Sequence, residues 1–295
     1  MSVRYVLVTA ARNEDATIEK TIQSVVSQTV LPKLWVIVSD GSTDRTDEVI
    51  RHYENNYDFI RLVRRTTDTP RDFASKVCAI RAGVEQLDGT EYDFIGNLDA
   101  DITFGPQYYE KLFEMFAVNP RLGIGGGMAF EIHHGKWVLQ GTNIEWSVGG
   151  YVQIFRRQCY EDIRGYLPLP KGGEDAVAEV MARKHGWQVR TFPQLQVFHH
   201  RETGTATEGY YASRISLGVH HYSLGYMLWF ETARCFSRMR KSYILAELLT
   251  LLGYILAMIR RDAIAVPQDV YECLRREQIT RLKNALRIWR LKPGK

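Results

Sequence analysis

Tyr92-Asp93-Phe94-Ile95-Gly96-Asn97-Leu98-Asp99-Ala100-Asp101 is a short apolar run that ends in two carboxylates two positions apart. The run through Leu98 reads as a buried strand, and its polar end marks where pairing stops. Upstream the pattern repeats. Tyr5-Val6-Leu7-Val8-Thr9, Leu34 to Ser39 and Phe59 to Val63 are strands of the same type. Between them Ile18, Ile22, Val25 and Val26 share one helical face, and further helices are expected at Asp47 to Tyr53 and Phe73 to Gln86. This alternation predicts an α/β fold, a mostly parallel sheet flanked by helices. Ligands of such sheets bind beyond the carboxyl ends of the strands, and the polar clusters of this chain fall there.

Past Asp101 the rhythm changes. A helix near Gln107 to Phe116, a glycine-rich strand from Gly123 to Phe130, strands near Glu145 and Tyr151, a helix from Glu174 to His185 and a last strand at Gln196 to His199 are expected. A domain boundary is placed near residue 205, with 1–205 as the α/β domain and 206–295 as a helical, basic and apolar region. Apolar residues make up 45% of the chain and charged residues 24%, enough to bury a core. The charge is divided unevenly: through Gly209 there are 23 Lys/Arg and 28 Asp/Glu, a net of −5, and from Tyr210 onward 15 and 6, a net of +9. A basic, apolar tail points to an anionic membrane surface, whereas nucleic acid is not expected because no nucleic-acid motif accompanies the charge. Cys78, Cys159, Cys235 and Cys273 are scattered without metal or redox spacing, so reduced thiols are expected. The opening residues carry Arg4 in too short an apolar run for a signal peptide and read as a strand.

Each polar cluster has a chemical reading and a plain one. Asp99 and Asp101 can turn toward one hard cation, Mn²⁺ or Mg²⁺, that also binds substrate phosphates; the same pair could cap the helix beyond Pro106. Asp40-Gly41-Ser42 can contact a base or ribose, or simply form a capping turn. In Ala11-Arg12-Asn13-Glu14, backbone amides and Arg12 can meet a nucleotide, or the loop can cap the following helix. On the helix from Phe73, Lys76 is assigned to a phosphate and Arg81 to the solvated face. Glu174 and Asp175 begin a helix, where the dipole favours acids, and Asp175 can act as a general base if it reaches an attacking hydroxyl. In His199-His200-Arg201 the two imidazoles face opposite sides of a strand, so one can join a metal while Arg201 grips a diphosphate.

Taken in order, the loop Ala11 to Glu14, the turn Asp40-Gly41-Ser42, the pairs Asp99-x-Asp101 and Glu174-Asp175 and the ending His199-x-Arg201 resemble the family 2 glycosyltransferases with the GT-A fold, as found in bacterial surface-polysaccharide synthesis. The resemblance covers roughly residues 3 to 205. It implies an inverting single displacement that moves a sugar from a nucleotide-diphosphate donor, UDP-sugars first, to a hydroxyl of a lipid-linked or other saccharide. Asp99 and Asp101 would hold the metal and Asp175 would be the base. Ala11, Arg12, Asn13, Glu14, Asp40, Lys76 and Asp99 would bind the donor. His199 would be a further metal ligand, with His200, Arg201 and Glu174 secondary around the diphosphate. The chain departs from the family at Thr9-Ala10, where a proline is common, and it lacks the Gln-x-x-Arg-Trp motif of processive synthases, which implies one sugar per encounter. A sugar nucleotidyltransferase is disfavoured because Ala10 to Asn13 lacks glycines. A polyprenyl-phosphate sugar transferase remains the alternative within the class.

In the tail, Tyr243 to Ile259 is a 17-residue stretch that is apolar except for Glu247 and Thr250, with basic residues on both sides. It is short for a span of ~20 residues, and its symmetric charges suit an interfacial or re-entrant helix. The aromatic run Tyr222 to Phe230 is expected at headgroup level, and a last basic helix near Asp269 to Arg290. The location implied is the cytoplasmic face of a bacterial inner membrane, peripheral or monotopic, with the oligomeric state open and a dimer included.

Overall fold

The computed structural model describes residues 3–66, 73–133, 135–139, 145–200, 209–239 and 244–290. The chain divides into two compact units, Met1–Pro168 with Glu174–Glu202, and Leu169–Gly173 with Thr203–Lys295. The expected boundary near residue 205 lies outside the described residues, as do Arg201, Arg240, Lys241 and Tyr243.

In the first unit β1 (Tyr5–Ala11), β2 (Leu34–Asp40), β3 (Ile60–Arg65) and β4 (Phe94–Asn97) pair in parallel in the order β3-β2-β1-β4. They alternate with α1 (Ile18–Val26), α2 (Thr46–Glu54) and α3 (Phe73–Glu85). Alternation along the strands makes two cores. Tyr5, Leu7, Trp35 and Ile37 pack with Ile18 and Ile22 of α1 on one face, while Val6, Val8, Val36 and Val38 pack with Val77 and Ile80 of α3 on the other. The polar handles of the buried aromatics are satisfied: Trp35 Nε1 donates to Thr9 Oγ1 at 2.9 Å and Tyr5 Oη to the Val30 carbonyl at 2.8 Å. A nine-residue helix such as α1 is marginal in isolation, so this burial is what holds it.

The rest of the sheet is mixed. It adds β5 (Ile102–Phe104), β6 (Leu122–His133), β7 (Lys136–Leu139), β8 (Ile154–Arg156) and β9 (Gln188–His199), with α4 (Tyr108–Val118), α5 (Arg157–Asp162) and α6 (Glu174–Lys184). From β4 the order continues β8-β6-β9-β5, with β7 on β6. β8 runs antiparallel to β4 and β6, β6 and β9 are parallel, and β5 is antiparallel to β9. The register of β6 and β9 shifts between Gly127 and Met128, where Phe192 gives way to Gln196 and Pro193 leaves the ladder.

Two expected strands are corrected. Around Glu145 and Tyr151 the backbone is a loop, and the strands are β7 and β8 on either side. Gly149 and Gly150 interrupt the run, and the loop spends its carbonyls on Asn97 and Asp99 instead of a ladder. The three-residue β5 and six-residue α5 are too short for periodicity to reveal.

The second unit contains α7 (Tyr210–Ser223), α8 (Leu228–Met239), α9 (Ile244–Arg260) and α10 (Gln268–Arg290). α7 and α9 pack closely along their lengths. The aromatics expected at headgroup level pack partly inward, Tyr226 stacking on His221 at 5.0 Å and Tyr222 edge-on to Tyr254 at 5.5 Å, while Trp229 is exposed. Among the described residues there is no disulfide, and no helix is long and apolar enough to cross a membrane.

Candidate active site

Parallel pairing brings the ends of β1 to β4 to one edge, so Ala11, Asp40, Arg65 and Asn97 gather there. Asp40 is buried, and register sets it opposite Arg65, whose Nη1 lies 3.1 Å from its Oδ1. Beside it Asn13 takes a left-handed φ of 56°, which Asn tolerates because its side chain bonds locally. Its Oδ1 accepts from Thr43 N–H at 2.8 Å and its own N–H donates to Ser42 Oγ at 3.2 Å. Glu14 N–H donates to Thr46 Oγ1 at 2.7 Å, so the loop after β1 is latched to the turn after β2. The Glu14 side chain is buried and accepts the Thr17 hydroxyl at 3.1 Å, at the entry to α1. Ala11 is buried. Arg12 Nη1 is buried with no hydrogen-bond partner among the described residues, leaving donor capacity at this edge.

Asp99 lies two residues past the end of β4, its N–H donating to the Tyr151 carbonyl at 2.9 Å. From α3, Lys76 Nζ lies 2.8 Å from Oδ1 and 2.9 Å from Oδ2 of Asp99. Burial disfavours the ammonium, but Asp99, Glu174 and Asp175 outweigh it and raise its pKa. Glu174 is raised chiefly by its own burial, with Lys76 opposing. In the first turn of α6, Asp175 Oδ2 accepts the Gly150 N–H at 3.0 Å and Oδ1 accepts the Ala176 N–H at 2.8 Å. The Gly150 carbonyl takes the Asn97 amide, so a short chain runs Asn97–Gly150–Asp175 from the sheet to α6. A Cβ at position 150 would sit 2.9 Å from the Asp175 Cβ, so glycine is what lets the aspartate lie against the loop. Asp99 and Asp175, 76 positions apart in sequence, thus meet across one lysine and one loop.

Asp101 and His199 form the neighbouring cluster. His199 Nε2 lies 3.2 Å from Asp101 Oδ2, and Nδ1 faces Glu131 Oε1 at 3.7 Å, too long for a direct hydrogen bond. Burial opposes the imidazolium, but the flanking carboxylates Asp101 and Glu131 lift its pKa to about 9. The Tyr151 ring covers His199 at 5.7 Å. His200 points the other way, with Nε2 2.9 Å from Thr103 Oγ1 and its ring edge-on to Trp137, and burial lowers its pKa. Of the two histidines, His199 is therefore the one beside the acidic pair.

Two aspartates with an adjacent imidazole suit Mg²⁺ or Mn²⁺ when phosphates and water complete the shell. Among the described residues no three His, Cys, Asp or Glu side chains close on a single point, and each aspartate faces a protein cation, Lys76 or His199. The set fits a metal shared with a substrate's phosphates rather than one caged by protein. A separate cleft of about 260 Å³ lies between the Gly105–Tyr108 turn and Gln194–Phe198, and none of the predicted site residues lines it.

Residues 6–165 match the family model described as glycosyl transferase family 2. The chain belongs to this family. It is 32% identical over 114 residues to the poly-beta-1,6-N-acetyl-D-glucosamine synthase of Staphylococcus epidermidis, a match covering 39% of this chain and 26% of the relative, and the Staphylococcus aureus enzyme of that name matches to the same extent. The chain thus spans about a quarter of the length of these relatives. Among solved structures, the mannosyltransferase PcManGT from Pyrobaculum calidifontis, in complex with GDP-Man and Mn²⁺, superposes with a TM-score of 0.55 at 15% identity, covering 98% of this chain and 83% of that one. S. aureus TarS in complex with UDP-GlcNAc gives 0.51 at 13% identity, covering 92% and 78%. The fold is GT-A.

Several residues packed around these clusters escaped the sequence reading. Gly149 to Tyr151 carries both aspartate contacts, and the glycine pair was its visible signal. Glu131 is a lone acid inside the apolar β6. Glu179, one turn after Asp175, braces the same loop: it accepts from Val148 N–H at 2.6 Å and Ser147 Oγ at 3.1 Å, and burial pushes its pKa up to about 7. Arg81 donates to the Tyr166 carbonyl at 2.8 Å, a bracing role.

Proposed function

We propose that this chain transfers a sugar, with inversion, from a nucleotide-diphosphate donor to a hydroxyl of a saccharide acceptor, with lipid-linked saccharides the first class to test. The observation that carries the reading is the joint placement of Asp99 and Asp175 about Lys76 and Gly150. A family 2 chain needs a donor-diphosphate group and a base within one small volume, and this arrangement supplies both. The names of the relatives and structural neighbours, a polysaccharide synthase and complexes with GDP-Man and UDP-GlcNAc, support a nucleotide-sugar donor.

In the proposed step an acceptor hydroxyl gives its proton to Asp175 as its oxygen attacks the anomeric carbon. The bond to the diphosphate breaks on the opposite side, and the nucleoside diphosphate leaves with the electron pair. Hydrogen bonds from the Gly150 and Ala176 N–H groups fix both oxygens of Asp175, and each retains a lone pair for the hydroxyl. Lys76 places a positive charge beside the acids, and Arg12 has a donor to offer a phosphate. Asp40 with its Arg65 partner is assigned to the nucleotide base, within the frame built by Asn13. Mn²⁺ or Mg²⁺ held by Asp99 and Asp101, with His199 alongside, would neutralise charge on the leaving diphosphate.

Transfer from UDP-GlcNAc, UDP-glucose and GDP-mannose, measured with Mn²⁺, Mg²⁺ or EDTA, tests the proposal. One donor should be consumed only when metal is present, and Asp99→Asn should abolish the reaction. Wild-type rates in both Asp99→Asn and Asp175→Asn would sink it.

A further inference from the structure

We infer that the second unit docks on an anionic lipid surface through the outer face of α9, extended by Trp229 and Phe236 of α8. The inference stands on the inside-out build of this helix and does not depend on the transfer reaction. Leu245, Leu248, Leu252, Leu256 and Ile259 follow one another at three- and four-residue steps, which is one stripe of an α-helix. That stripe is exposed, from 39% at Leu256 and 48% at Leu248 to 70% at Ile259.

The opposite, buried face of the same helix carries its polar residues Glu247, Thr250 and Tyr254 among small ones, Ala246, Gly253 and Ala257. Glu247 is 3% exposed and accepts from Arg214 of α7, Thr250 Oγ1 bonds back to the Ala246 carbonyl at 3.0 Å, and Tyr254 Oη donates to the Tyr226 carbonyl. Close backbone contact fixes this orientation. A Cβ on Gly218 of α7 would meet the Thr250 carbonyl at 1.9 Å, and one on Gly253 would meet the Ile215 carbonyl at 2.1 Å. Neither helix can roll its leucines inward without losing this fit. Water-facing helices place their apolar stripe inward, so a rigidly held reversal marks a surface meant for an apolar phase.

α8 adds Trp229, 74% exposed, and Phe236, 61% exposed, on the unit that carries the stripe. α9 is 17 residues and so roughly 25 Å long, and no described helix can span a bilayer, which leaves an in-plane seat. Charge selects the occupant. The chain from Tyr210 onward carries a net of +9, with Arg260 and Arg261 closing α9 and Arg240 and Lys241 preceding it in sequence. A second copy would set that charge against itself, whereas acidic headgroups complement it.

The test is flotation of the full chain with phosphatidylcholine vesicles, with and without phosphatidylglycerol. The wild type should float at least about tenfold better with phosphatidylglycerol, an advantage that falls with added salt. The double variant Leu248→Glu/Leu252→Glu changes two exposed positions, so near-ultraviolet circular dichroism should show it folded, and it should lose that binding. Wild type that stays in solution with phosphatidylglycerol vesicles, or a folded double variant that floats as well as wild type, would overturn the inference. So would a wild-type dimer in light scattering that the double variant abolishes, because the face would then belong to a second copy.

Discussion

The two units bury charge for opposite ends. In the first, apolar strands and helices fill both faces of the sheet, and carboxylates gather where the strands stop, two buried and one half-buried: Asp40 on Arg65, Asp101 on His199 and Asp99 on Lys76. In the second, ion pairs sit inside, Glu247 on Arg214 and Glu231 on Arg234, with the His221 ring, its pKa lowered by burial, hydrogen-bonded to Glu231, while leucines face out. A charge at a strand end can be re-partnered by a ligand; a charge between helices can only hold them. Mutations should therefore separate reactivity from stability between the two.

The largest expected effect is on chemistry. Asp175→Asn should reduce transfer by about 10²–10⁴-fold, the usual worth of a positioned base, while shifting the thermal midpoint by only a few degrees. Comparable loss of both would make Asp175 a structural residue and dissolve the contrast. Next comes Glu247→Ala, which strands Arg214 and should cost about 3–5 kcal/mol in urea unfolding, with transfer per folded molecule unchanged.

Glu179 sharpens the comparison through pH. Its folded pKa of about 7 lies above the ordinary 4.5, so the folded state holds the extra proton between these values. Stability from this group is full below 4.5 and lost as pH rises toward 7, by up to about 3 kcal/mol. Glu179→Gln should flatten that decline in unfolding measured across the window. Gly218→Ala, which forces α7 off α9, should cost about 1–3 kcal/mol by the same measure. Smallest of all, Leu248→Ala on the outer stripe should change stability in lipid-free buffer by less than about 0.5 kcal/mol. A larger loss there would mean that the stripe packs on protein.

Much of the first unit was readable because its signals are local. The parallel strands were foretold by apolar runs such as Leu34 to Ser39, and Asp40, Asp99 and Asp101 by polar residues at their ends. The mixed half was harder, because β5 and β8 have three residues each and owe their pairing to distant partners. Arg65 as partner of Asp40, and Glu131 beside His199, are products of register. The composition of the tail suggested a surface helix, yet the direction in which its leucines point was decided by contact between Gly218 and Gly253 and the facing backbones.

By itself the sequence determined which residue types stand at which strand ends, and the ordered acidic set that resembles family 2, because periodicity and turn chemistry act over a few neighbours. Tertiary structure alone decided that Lys76 lies on Asp99, that Gly150 holds Asp175, that His199 and not His200 faces Asp101, and that α9 is inside out. Those pairings join residues tens of positions apart, and they depend on close packing and register, which no local pattern encodes.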